Sequence, residues 1–114
     1  MNGDKLEKTD FKAIADSTEA LYFNTIISTV NDHIVRMGIM TSPYQWHIHP
    51  NSDETFIGVE GIVIIETPGE TFELTPGASI TIPQNMPHCT SPKGARSVNL
   101  TIERADMETV LVER

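Results

Sequence analysis

Four residues in this 114-residue chain have the types and spacing to hold a metal ion: His47, His49, Glu54 and, far downstream, His88. Imidazole nitrogen and carboxylate oxygen are donors that suit divalent transition ions. The informative segment is Trp46-His47-Ile48-His49-Pro50-Asn51-Ser52-Asp53-Glu54. Side chains alternate along an extended strand, so His47 and His49 share one face. Glu54 follows a loop of four residues and opens the next strand, from which a carboxylate oxygen can reach the same point. His88, after Pro87 at the start of another short strand, would complete a cluster of mixed nitrogen and oxygen donors. Three neutral imidazoles and one carboxylate leave positions open on a six-coordinate ion, where water, substrate or dioxygen can bind. Fe, Mn, Ni, Co, Cu and Zn all suit these donors, and the residue types do not choose among them. Each piece alone is weak, since a His-x-His pair can be a surface pair and a single distant histidine can be structural. The conjunction carries the reading.

Such a cluster needs a scaffold of strands, and the chain supplies one. Apolar residues come in short runs rich in Ile, Val, Thr and Phe, broken by Pro, Gly, Asn and Asp, which predicts an all-β fold. The expected strands are Tyr22 to Thr29, His33 to Met40, Tyr44 to His47, Glu54 to Glu60, Ile62 to Thr67, Glu70 to Leu74, Ser79 to Ile82, His88 to Ser91, Ala95 to Glu103 and Thr109 to Val112. Turn signals fall between them at Asn31-Asp32, Pro50-Asn51, Pro68-Gly69, Pro76-Gly77 and Pro92-Lys93-Gly94, a density that suggests a sandwich or barrel. Near the N-terminus, Asp10 is placed to cap a short helix carrying Phe11, Ile14 and Ala15 on one side.

Composition narrows the function classes. A chain of 114 residues has room for one domain, taken as residues 1–114 with a core of about 21–103. Lys plus Arg number 8 against 16 for Asp plus Glu, a net charge of −8 that argues against nucleic acid as a partner. No apolar run approaches the roughly 18 residues of a membrane span, and the start MNGDKLEKTD lacks the form of a secretory signal. No membrane association and a cytoplasmic location are therefore expected. The single cysteine, Cys89, excludes an internal disulfide and any multi-thiolate site.

At these residues the chain resembles the cupin superfamily, whose first motif reads G-x5-H-x-H-x(3 or 4)-E-x6-G. His47, His49, Glu54 and Gly61 fall on it with the right separations, while Thr41 stands at the opening glycine. The second motif, G-x5-P-x-G-x2-H-x3-N, is matched by Gly77, Pro83 and His88, with Asn85 at the inner glycine and Pro92 at the last position. Asn85 tolerates the positive φ of a turn glycine. The resemblance implies a jelly-roll β-barrel with a metal inside it, ligated by His47, His49, Glu54 and His88. It also implies a homodimer, which fits a short chain with strand edges to cover.

Alternation then gives expectations for the cavity. Phe56 shares the face of Glu54, Gln45 that of His47, and Thr90 that of His88, so Gln45, Phe56 and Thr90 are the expected substrate-binding residues. Val98, Leu100 and Ile102 offer one apolar face, and Val35, Met37 and Ile39 another, which predicts a largely apolar wall. No second carboxylate is assigned to the cavity unless Glu60 lies deep, and Arg36, Lys93, Arg96 and Arg104 are not gathered at the ion. General acid or base work would fall to Glu54 or to water on the ion.

The first functional expectation is a metal-dependent enzyme on a small, partly hydrophobic molecule, with dioxygenase-like chemistry. A sugar isomerase or epimerase ranks below it for want of cationic groups. A non-catalytic module that holds a small molecule through the ion is the alternative from another class, because fold alone does not imply function.

Overall fold

A computed structural model describes residues 6–19 and 22–113 of the chain. One short helix, α1 (Phe11–Ser17), precedes ten strands: β1 (Tyr22–Val30), β2 (His33–Met40), β3 (Tyr44–Ile48), β4 (Glu54–Glu60), β5 (Val63–Thr67), β6 (Glu70–Leu74), β7 (Ser79–Ile82), β8 (His88–Pro92), β9 (Ser97–Arg104) and β10 (Val110–Leu111). The expected strands coincide with these within two residues at each end. The punctuation explains why. Asn31, at φ 55°, makes the tight β1–β2 turn, and Pro68 followed by Gly69 at φ 85° makes the β5–β6 turn.

The strands form two antiparallel sheets, ordered β1-β2-β9-β4-β7 and β10-β3-β8-β5-β6. This is the expected jelly-roll architecture. Phe56 and Ile82 of the first sheet meet Val63, Ile65 and Leu74 of the second in a buried apolar cluster between the sheets. A second cluster, Ala15, Met37, Ile39 and Val98, lies on the opposite face of the first sheet, where Phe11 and Ile14 of α1 pack against it. Asp10 caps α1 by accepting from the Ala13 amide at 3.0 Å. Arg96 ties the helix to the sheet, donating to the Ala15 carbonyl at 2.9 Å while its other nitrogens hold Glu60.

That outer cover decides which way the strands face. Because α1 needs apolar partners, Met37, Ile39 and Val98 turn toward it, and alternation sends Arg36, Gly38, Asn99, Thr101 and Glu103 to the interior. In register, Arg36 lies opposite Thr101 and Gly38 opposite Asn99. Among the described residues no helix is long and apolar enough to cross a membrane.

Candidate metal centre

The four donors are assembled by both sheets. His47 lies at the end of β3 and faces His88 across the β3–β8 pair. His49 lies just beyond β3, and Glu54 opens β4 in the opposite sheet. All four side chains are buried, and their donor atoms lie within 4.8 Å of one another. Bonds of about 2.0–2.2 Å to one ion place donors roughly 3 Å apart in cis and about 4.2 Å in trans. The cluster therefore needs only a small contraction to close on an ion.

Backbone carbonyls set the direction of all three imidazoles. His47 Nδ1 lies 2.7 Å from the Gln45 carbonyl, His49 Nδ1 3.0 Å from that of Glu108, and His88 Nδ1 2.9 Å from that of Met86. A carbonyl oxygen only accepts, so each Nδ1 carries the proton and Nε2 is left as the ligand nitrogen. His49 Nε2 and His88 Nε2 stand 3.1 and 3.3 Å from Glu54 Oε1. His49 Nε2 is buried and closes no well-formed hydrogen bond, as a metal-directed lone pair would be. Burial pushes the His47 pKa down to about 4, which keeps the ring neutral and able to ligate. Burial of Glu54 works against its charge, but His49 and His88 outweigh it and hold the pKa at about 2. Burial likewise opposes a charge on His49, and the adjacent Glu54 raises its pKa nonetheless. Three imidazoles, that of His47 kept neutral by burial, beside an ionised carboxylate are a donor set that fits a divalent transition ion.

The centre opens on a cavity of about 270 Å³. Phe56 and Thr90 line it as alternation requires, but Gln45 does not. The Gln45 side chain is exposed, and only its carbonyl serves the site, through His47. A β-bulge is the reason. The pairs Tyr44↔Thr90 and His47↔His88 enclose one more residue on β3 than on β8, which reverses alternation between them. Tyr44 takes the place expected for Gln45, with its ring edge-on to His47 and the centroids 4.9 Å apart.

The expected apolar wall is also corrected. Asn99, Thr101 and Glu103 of β9 face the cavity with Arg36 of β2, whereas Leu100 belongs to the cluster under α1. Glu103 is the second carboxylate that the sequence reading did not assign. Glu60 instead pairs with Arg96 at 2.6 Å. Arg36 Nε donates to Glu103 Oε2 at 2.8 Å, and Arg36 Nη1 donates to Asn24 Oδ1 at 3.2 Å. Burial and repulsion from Glu54 raise the Glu103 pKa above the usual carboxylate range, against the opposing pull of Thr101 and Arg36. The signal for this wall was the run of alternating polar residues in β9, whose inward direction only the helix cover decides.

The loop between His49 and Glu54 is pinned from both sides. Asn51 donates to the Asp106 carbonyl and accepts from the Glu108 amide, each at 2.9 Å, which delivers the Glu108 carbonyl to His49. Asp53 Oδ1 accepts from the Gln84 amide at 2.9 Å, and the Asn85 amide donates to the His49 carbonyl at 2.9 Å. Asn85 adopts φ 67°, as expected of a residue standing in for a turn glycine.

Comparison with known proteins shows the family and the fold. The protein YdbB of Bacillus subtilis (strain 168), described as uncharacterized, is 42% identical over 102 residues, covering 89% of each chain. A cupin-2 domain protein from Shewanella frigidimarina superposes with a TM-score of 0.78 at 23% identity, over 84% of this chain and 93% of that one. The DMSP lyase DddQ of Ruegeria pomeroyi superposes with a TM-score of 0.69 at 20% identity, over 80% of this chain and 51% of that one, a likeness of fold. The description of the cupin domain matches residues 34–102, which include all four donors, and the chain belongs to the cupin family.

Proposed function

We propose that this cupin is a metal-dependent enzyme acting on a small polar molecule, with one divalent ion held by His47, His49, Glu54 and His88. The observation that carries the reading is convergence: four buried donors, the three imidazoles among them aimed by backbone carbonyls, meet at one point, and His47, His49 and Glu54 line the cavity beside it. A bound divalent ion supplies Lewis-acid polarisation of a substrate oxygen and, where it is redox-active, electrons for dioxygen chemistry. The chain's own residues do the positioning. The carbonyls of Gln45, Met86 and Glu108 hold the three rings, and Glu54 contributes the negative charge. Phe56 and Tyr44 border the site with aromatic rings, and Thr90 adds a hydroxyl.

Dioxygenase-like oxidation is the first reaction class, since four protein donors leave positions open on a six-coordinate ion. An oxygen-independent proton transfer, as in an isomerase, epimerase or lyase, is favoured by one specific observation: the Glu103–Arg36 pair on the cavity wall. The test begins with element analysis of protein purified without chelator, before and after reconstitution with Fe, Mn, Ni, Co, Cu or Zn. Oxygen uptake with a diketone, thiol or phenol supports oxidation, and anaerobic turnover of a hydroxylated compound supports proton transfer. Failure to retain any of these metals overturns the reading. A ligand that stabilises the loaded protein and is never converted assigns a non-catalytic module. The same reading takes the working form to be a homodimer joined at the edge strand β1, where Ile26 and Val30 are about half exposed. Light scattering that gives a monomer refutes that part.

A further inference from the structure

The interior face of β9 carries two oxygens that the fold leaves unanswered. Glu103 is 1% exposed and Thr101 5%, yet neither Glu103 Oε1 nor Thr101 Oγ1 closes a hydrogen bond. Thr101 is near enough to Glu103 to favour its charged form, but the two do not satisfy each other. Buried polar atoms are nearly always paired, and an exception at a cavity wall points to a ligand group. Glu103 is also oriented: Arg36 Nε takes Oε2 at 2.8 Å, and Arg36 is itself fixed by Asn24. Oε1 is the oxygen left over. Among the described residues the metal-ligating cluster is His47, His49, Glu54 and His88, so Glu103 stands outside it and lines the same cavity.

We infer that Glu103 Oε1 and Thr101 Oγ1 form a hydroxyl-binding subsite, and that the substrate is a small polyhydroxylated molecule with one oxygen at the metal centre and a second hydroxyl donating to Glu103. This rests on the metal-centre reading above. A carboxylate oxygen accepts an O–H strongly, and the neighbouring threonine hydroxyl can either donate or accept, so the pair suits an alcohol better than a ketone or an alkyl group. Glu103 is here a specificity-determining residue.

The experiment measures binding to the full, metal-loaded chain by titration calorimetry with matched hydroxy acids. Glycerate is compared with lactate, and threonate with 2-hydroxybutyrate. Each pair shares the carboxylate and 2-hydroxyl that chelate an ion and differs only in the outer hydroxyls. The wild type is expected to prefer the more hydroxylated member by about tenfold or more, the effect of one charged hydrogen bond. Glu103→Gln should shrink the preference severalfold, because Arg36 Nε requires the amide oxygen on its side and the NH₂ at the Oε1 position then offers the hydroxyl a neutral donor in place of a charged acceptor. Thr101→Val, nearly isosteric, should reduce it while retaining metal. Equal affinity within both pairs, or no binding by either hydroxylated ligand, in protein that holds its metal overturns the subsite and leaves the metal centre standing. A preference unchanged in Glu103→Gln also overturns it. Metal content unaffected by His88→Ala refutes the metal centre instead.

Discussion

Replacing Arg36 by methionine should destabilise the protein in a way that acid relieves. Arg36 Nε is the cation on Glu103, whose side chain is fully buried, whereas the Arg36 side chain is 34% exposed. Removing one partner of a wholly buried ion pair costs about 3–5 kcal/mol. Water reaches Arg36 and screens part of that attraction, which lowers the expected loss to about 2 kcal/mol. For a domain of this size that is a fall in Tm of about 8 °C. The pH dependence has a definite sign. Glu103 is raised above its ordinary value of 4.5 in the folded protein, so its contribution is most favourable below that value and is lost as pH rises through the raised one. Arg36→Met lifts the folded value further and enlarges the loss near pH 7, and the deficit should shrink as pH falls toward 5. The assay is thermal and urea unfolding of chelator-treated parent and variant at both pH values, with the double variant Arg36→Met/Glu103→Gln alongside. Removing the buried charge should recover most of the loss. A deficit that is the same at pH 5 and pH 7, and that persists in the double variant, refutes the reasoning.

His88→Ala should abolish stoichiometric metal retention, and chelation of the loaded parent should lower Tm, since a ligand at a thousand times its Kd contributes about 4 kcal/mol; inductively coupled plasma analysis and a thermal scan check both. Gly58→Ala should cost about 1–3 kcal/mol or block folding, because its Cβ would collide with the Thr75 carbonyl oxygen, and soluble yield with urea unfolding reads this. Asn85→Gly should be nearly neutral, while Asn85→Val, forced to φ 67°, should lose about 1–3 kcal/mol and loosen the loop that carries His88, seen as lower Tm and weaker metal binding.

The candidate donor cluster was legible because it depends on two local rules, alternation along a strand and turn residues that end one, and His47, His49, Glu54 and His88 obey both. The strands were legible for the same reason. The cavity wall was not. Alternation states that Asn99, Thr101 and Glu103 share a face, but it does not state which face is inside. The apolar set Val98 and Leu100 was the natural choice for the interior, and the structure uses it beneath α1 instead. A sheet covered on both sides needs apolar residues outside as well as in, and a seven-residue helix was too weak a signal to foretell that cover. Gln45 failed for a different reason. The bulge between Tyr44 and His47 adds one residue to one strand, and no residue type there announces it.

The carbonyl that orients His49 belongs to Glu108, 59 positions further along, just before a strand of two residues. A candidate metal donor near the middle of the polypeptide thus takes its aim from far along the chain, through a segment with little packing of its own. Undocking that tail would leave every donor in place and yet free one ring to turn. Retention of the ion would then report on how firmly the C-terminal segment is seated.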